Sequence, residues 1–378
     1  MWTVSENVLK NDMNLNEILH NELLDLPKSR NGKWFPKYVE ETLNQYIELT
    51  KDIDCPLCNL TPKEIHDSIK RLCIAIITSV NYYFNGHPYE AYESIANLLG
   101  KIDNKEDYCN KILKFHMLDK SQPLYRIRVA EPNESFSRYE MFHVPFELRE
   151  KHVKTQRYSI TGLPCLYLSN SIYVTWVELN KPNLDKIHAS LLVPSDRNNC
   201  ILIDLAHPNA LRKEYGENSY HLNLLDYIIT WPLVFACSIT TEEKNNTFKP
   251  EYIIPQILLQ YVRRNENIHG IKYFSNSINY NEQNVGEFYN IAIPVVEMKE
   301  KGHCNLLKGA FNMSESISIQ KIDAALGGQL TLDKANANYN VWVKEIEIIK
   351  EKPFPYKYSR FHDIEKHLFL SKAKSIDF

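Results

Sequence analysis

Between residues 61 and 84 the apolar side chains Ile65, Ile69, Leu72, Ile76 and Val80 recur at three- or four-residue steps. That spacing lines one face of a helix. Thr61 is placed to cap it, Pro62 suits its first position, Glu64 completes a capping box, and Asn85-Gly86-His87-Pro88 ends it. LNEILHNELLDL, the stretch from Trp34 to Ile47, YEAYESIANLLG and KEDYCNKILKFHML also read as helices, so residues 1–118 are expected to form a helical domain. From about residue 120 the pattern changes. LYRIRV alternates apolar and polar positions, as a strand does. PCLYLS, KIHASLLVP, CILIDLAHP, GIKYFS and YNIAIP are further strand candidates, while NSIYVTWVELN and EYIIPQILLQYVRR read as helices. LNLLDYIITWPLVFACSIT is mostly helical, with a break or kink expected at Pro232. Residues 119–300 therefore read as a mixed α/β domain. Residues 301–378, including a strand-rich QLTLDKANANYNVWVKEIEII, read as an extension that completes or packs on it. The expected fold class is α+β.

Composition narrows the function classes. The chain has 378 residues, 44% hydrophobic and 24% charged, an ordinary globular balance. Its formal charge is -3, from 44 Lys and Arg against 47 Asp and Glu, and no long basic run marks a nucleic-acid surface. No basic leader precedes an apolar run at the start, and the apolar stretches are too short or too polar to span a bilayer. Eight cysteines are scattered rather than dense, which fits reduced thiols in a cytoplasmic protein.

The candidate chemistry is spread along the second domain. Arg126 sits in LYRIR, Arg157 in QRYSITG, Tyr167 in LYLSNS, Glu178 in TWVEL and Ser275 in GIKYFSNS. Gly162 and Pro164 bend the chain between Arg157 and the strand that carries Tyr167. Glu178 follows Val174, Trp176 and Val177 on an apolar helix, where an acid is costly to bury unless paired. Arginines, a tyrosine, one carboxylate and a serine suit a phosphate-bearing substrate with a neutral leaving group. Arg128 shares the period-two face of Arg126 and competes with it, as Ser277 competes with Ser275.

In that order, LYRIR, RYSITGLPCLYLSNSIYVTWVEL, EYIIPQILLQYVRR and GIKYFSNS resemble the RES domain, a family named for its Arg, Glu and Ser. The resemblance covers about residues 121–300, and the helical front is similar to the HEPN-like domain that accompanies some of its members. It implies a fold related to ADP-ribosyltransferases and diphtheria-type toxins. It also implies cleavage of the nicotinamide–ribose bond of NAD+ by phosphorolysis or hydrolysis, with inorganic phosphate as the co-substrate in the first case and no other cofactor. Members are toxins held by a cognate antitoxin. By the same resemblance, Glu178, Ser275 and Arg157 would be catalytic, and Arg126, Arg157 and Tyr167 would bind substrate; Arg128 joins them as a substrate-binding candidate through the strand period it shares with Arg126. The chain carries Gln156-Arg157-Tyr158-Ser159 where the family has a Gly-Arg-Phe/Trp-Asn type turn, and LNKPN follows the acid.

The chemistry is coherent in its own terms. Arginines hold a diphosphate by charge-assisted bonds. A carboxylate stabilises the oxocarbenium-like ribose as the N-glycosidic bond breaks. Two rivals are transfer of ADP-ribose to a macromolecule and a non-catalytic interaction module. An antitoxin or regulatory protein and a second copy of the chain are the expected macromolecular partners; membranes and nucleic acid are not. Cys55 and Cys58 form a CxxC, which as a zinc half-site lacks a clean second pair. The helical domain has Lys111 where an Arg-x-x-x-x-His nuclease signature ending at His116 would need arginine.

Overall fold

The computed structural model describes residues 15–53, 55, 60–100, 112–131, 134–196, 200–207, 218–243, 245–278, 280, 288–318, 342–343 and 354–378. Most of QLTLDKANANYNVWVKEIEII and the first part of KEDYCNKILKFHML lie outside them. The chain is a mixed α/β protein with two compact units whose segments alternate in sequence. One comprises Met1–Phe115, Gln156–Tyr158 and Ile203–Asn267; the other comprises His116–Thr155, Ser159–Leu202 and Ile268–Phe378. These units differ from the linear blocks 1–118, 119–300 and 301–378. Residues 203–267 group with the helical front, and the C-terminal segment groups with the sheet.

The principal helices are α1 (Phe35–Leu49), α2 (Pro62–Phe84), α3 (Pro88–Leu99), α4 (Ile172–Glu178), α5 (Asn218–Ser238), α6 (Ile253–Arg264) and α7 (Arg360–Leu370). In the first unit, α2 begins as its sequence dictates. The Glu64 carboxylate accepts from Thr61 N at 2.7 Å and the Thr61 hydroxyl accepts from Glu64 N at 3.3 Å. Ile65, Ile69, Leu72, Ile76 and Val80 are buried along one side. Helix α5 is apolar on all sides from Tyr227 to Cys237, as a central helix must be. Pro232 lies inside it without breaking it. A proline leaves the carbonyl four residues earlier without its helical donor. That carbonyl, on Ile228, accepts instead from the Tyr46 hydroxyl at 2.6 Å, and the Tyr46 ring packs on Trp231 at 4.2 Å.

The second unit is organised by a sheet. The strands of this sheet, of which β1 and β5 straddle the division between the units in sequence, are β1 (Phe115–Met117), β2 (Leu124–Val129), β3 (Cys165–Ser169), β4 (Ile187–Pro194), β5 (Ile201–Leu205), β6 (Gly270–Phe274), β7 (Tyr289–Pro294), β8 (Phe311–Met313), β9 (Ile317–Ser318) and β12 (Lys374–Ser375). A separate two-stranded ladder pairs β10 (Trp342–Val343) with β11 (Phe354–Pro355). Among the described residues the sheet runs β1-β5-β6-β7-β3-β2-β4-β8-β12, with β9 beside β4. Phe115–Met117, read as the end of a helix from sequence, is an edge strand, because a neighbouring strand offers it backbone partners. Leu124, Leu166, Leu168, Ile291, Ile293 and Phe311 belong to one buried apolar cluster on one face of the sheet. Side chains alternate along a strand. The opposite face therefore carries Cys165, Tyr167 and Ser169 on β3, Asn290 and Ala292 on β7, and Ile271 and Tyr273 on β6, in register. Helix α4 packs on β2, β3 and β7, and α7 packs on α4.

Candidate active site

A polar row crosses the sheet at the C-terminal ends of β3 and β6 and the start of β7. Ser169 and Asn290 are register partners, and Tyr273 stands opposite Asn290 on the other side. Strand β6 ends at Phe274, and the next residue, Ser275, is completely buried. Its hydroxyl donates to Glu178 Oε1 at 2.6 Å, and Asn290 Nδ2 donates to the same oxygen at 3.1 Å. The Ser169 hydroxyl bonds to Asn290 Oδ1. Behind Ser275, Ser277 N donates to its Oγ at 3.2 Å, and its own backbone N donates to the Tyr280 hydroxyl at 3.1 Å. Tyr280 in turn donates to Phe288 O at 3.1 Å. Burial pushes the Tyr280 phenol well above its ordinary range, so it stays protonated at neutral pH. Ser275, not the exposed Ser277, is the serine that meets the acid.

Glu178 is presented by the way α4 starts and stops. At the start, the Ser171 hydroxyl accepts from Tyr173 N at 3.1 Å, the expected cap. The buried Glu365 of α7 accepts from Ile172 N at 2.8 Å and from the Tyr356 hydroxyl at 2.6 Å, and Tyr356 also meets Ser171 at 2.8 Å. Such a carboxylate satisfies an amide that the helix itself leaves unpaired and complements the helix dipole. At the end, LNKPN stops the helix on Glu178. Asn180 (φ 62°) and Lys181 (φ 55°) turn left-handed, Lys181 N returns to Trp176 O at 2.9 Å, and the Trp176 indole donates to Pro182 O at 2.8 Å. Glu178 is consequently exposed as a residue although its Oε1 is held on two buried side chains. Val174 and Val177 beside it in sequence are buried, whereas the acid does not need to be.

The arginines are placed differently from one another. Strands β2 and β3 share the paired position Tyr125–Ser169, and Arg126 supplies the next link, donating from Nη1 to Tyr167 O at 3.0 Å. Its buried Nε has no hydrogen-bond partner among the described residues. Burial, and then the like charge of Arg128, pull its guanidinium down to about 9, still protonated at neutral pH. Arg128 lies over the Phe136 ring at 5.8 Å; its pKa is lowered by burial and raised back by Glu140 and Glu134. Tyr167 shares the polar face with Ser169 and is half-buried, and burial drives its hydroxyl well above the usual phenol range. Arg157 belongs to the first unit. It donates to Cys237 O at 3.1 Å, to Glu251 O at 3.4 Å and to the Thr241 hydroxyl at 3.4 Å, with its charge over the Tyr252 ring at 5.1 Å. The turn that follows it forms as read. Gly162 takes φ 78°, and Leu163 N closes on Ile160 O at 2.9 Å.

Over 310 aligned residues the chain is 32% identical to the protein described as "Putative toxin YopC" from Bacillus subtilis (strain 168), covering 78% of this chain and 68% of that protein. The chain belongs to that protein's family. No protein-family model matches it, and neither does any solved structure.

Asn290, Ser169, Tyr280 and Glu365 escaped the sequence reading. Asn290 in YNIAIP and Ser169 in LYLSNS did carry a signal, since each is a polar residue within or closing an apolar strand. Other candidates go elsewhere. His207, the histidine of CILIDLAHP and a polar residue just after that strand, meets Leu26 O through Nε2 at 2.8 Å. Cys55 is buried, Cys58 lies outside the described residues, and among those residues no group of three or more His, Cys, Asp or Glu is arranged to hold a metal. No described helix is long and apolar enough to cross a membrane.

Proposed function

We propose that this chain is an NAD+-degrading enzyme of RES type that cleaves the nicotinamide–ribose N-glycosidic bond and acts as a toxin. The observation that carries the reading is an exposed carboxylate, Glu178, with Oε1 held by Ser275 and Asn290 and no described partner bonded to Oε2. As the bond breaks, its electron pair leaves on the nicotinamide nitrogen, which becomes neutral, and positive charge develops on the ribose. A fixed carboxylate is worth most where such charge develops. Attack at the same carbon by water gives ADP-ribose and a proton; attack by inorganic phosphate gives ADP-ribose-1''-phosphate. Tyr167, kept protonated, is suited to the nicotinamide side. Arg126, on the Leu124 side of β2 but bonded across to Tyr167 O of β3, has an unused Nε and is suited to the diphosphate, with Arg128 two positions further along β2.

The name of the Bacillus subtilis relative supports the toxin part of the reading. A cognate antitoxin would be its natural counterpart. The experiment is to incubate purified protein with NAD+, with and without phosphate, and identify the products by mass spectrometry. Free nicotinamide with ADP-ribose or its 1''-phosphate is expected. Label retained on protein or nucleic acid would indicate transfer to a macromolecule, and unchanged NAD+ would remove the proposal.

A further inference from the structure

Asn290 is fixed more firmly than the acid it touches. It sits on β7 between β3 and β6, with backbone partners on both sides, and it is almost completely buried. Its side chain has one good arrangement. Glu178 Oε1 accepts only, so it must receive the amide N–H, and Oδ1 then receives the Ser169 hydroxyl. Ser169 is as buried as Asn290 and is anchored opposite it in the ladder. Every link in this chain donates towards Glu178, and links of that kind polarise and strengthen one another. Ser275 approaches the same oxygen from β6, itself receiving Ser277 N. Oε1 thus has two donors, one on β7 and one just past the end of β6, while no described partner bonds Oε2.

Resting on the proposed NAD+ cleavage, we infer that Asn290, set by Ser169, is a positioning residue that fixes the Glu178 carboxylate so that Oε2 is the oxygen that meets the ribose. Ser275 alone leaves the carboxylate free to rotate about one bond; the second donor removes that freedom. Such a residue acts on the chemical step rather than on affinity, because the unpinned carboxylate is still present at the end of α4.

The test compares Asn290→Ala, Asn290→Asp and Ser169→Ala with the native protein, each first shown to melt cooperatively. With NAD+ as substrate, Asn290→Ala should lower kcat about 10- to 100-fold with KM within about twofold, and Ser169→Ala should act in the same direction by about 3- to 10-fold. Asn290→Asp sets a second carboxylate against Oε1. It should move the acid limb of the kcat profile, and the titration of Glu178 followed by its side-chain 13C signal, to higher pH by about one unit or more. The neighbouring titratable groups include Tyr273, opposite Asn290; Tyr280 and Tyr167 stay protonated through that range, and the Lys181 ammonium is turned over the Trp176 ring at 5.9 Å. A rise in KM matching the loss in kcat/KM would make Asn290 a substrate contact and overturn the inference, as would unchanged kinetics. If the native protein leaves NAD+ intact, the proposed function falls. The 13C titration then still decides the coupling: an unmoved Glu178 signal in Asn290→Asp ends it.

Discussion

Arg157 shows how far a residue's type can be read without its surroundings. An arginine before a Gly/Pro turn suits a diphosphate, and the resemblance to the RES family assigns it there. In the fold its guanidinium is occupied by two backbone carbonyls, a threonine hydroxyl and a tyrosine ring, which is the work of a cross-link between chain segments. Arg157→Ala leaves those half-buried carbonyls short of donors. It should destabilise the protein by about 1.5–3 kcal/mol, the range for bonds to a charged donor, read as a lower denaturation midpoint at unchanged m-value. Full stability with a raised KM for NAD+ would favour the substrate-binding role instead. Glu178 was legible because an acid closing the run IYVTWV is conspicuous. Its partner Asn290 was not, because strand alternation alone does not say which face meets a helix bearing an acid.

At the scale of elements, most helices and strands were legible, since caps and periodicity are local. What was not legible depends on partners distant in sequence. Pro232 did not end α5, because Tyr46 supplies the missing donor from another helix. The start of α4 depends on Glu365, which is 193 residues away. Glu365→Ala would strip a buried amide and the Tyr356 hydroxyl of their acceptor at once. A loss of about 2–4 kcal/mol is expected, with turnover falling more than KM changes; unaltered thermal stability would contradict the role given to Glu365. Gly270 makes the same point for the sheet. A Cβ there would lie 2.6 Å from Ala292 O and 3.0 Å from Ile293 and Leu202 side-chain atoms. The backbone carbonyl cannot yield cheaply, so Gly270→Ala should cost about 1–3 kcal/mol, measurable by urea unfolding. A neutral result would mean that β6 and β7 are more yielding than their pairing indicates.

For the whole molecule, the sequence suggested helical front, mixed middle and C-terminal extension. The compact units interleave instead, because residues 203–267 group with the first unit although strands flank them in sequence. Composition and periodicity cannot register that return. A molecular property does follow from buried groups of the sheet-based unit. His143 is pulled down to about 3, and His303 and His362 to about 4, mainly by burial. Unfolded, each would titrate near the usual value of about 6.5. Below that value the unfolded chain binds protons that the folded one refuses, so stability is full above about pH 7 and falls as pH drops towards 4. Each histidine contributes up to about 1.4 kcal/mol per pH unit over that interval. Thermal melts from pH 7.5 to 4.5 should show a steady fall, made shallower by His143→Gln; a flat profile would mean that these rings are hydrated.

The role proposed for Glu178, held by Ser275 and Asn290, is to stabilise the cation formed when nicotinamide leaves NAD+. The most direct measurement is nicotinamide release from NAD+ by the native protein and by Glu178→Gln at matched concentration and matched thermal stability. Steady release by the native protein is expected, with a loss of about 100- to 1,000-fold in the variant, the scale on which removal of a transition-state electrostatic partner is felt. Equal release by the two would contradict it.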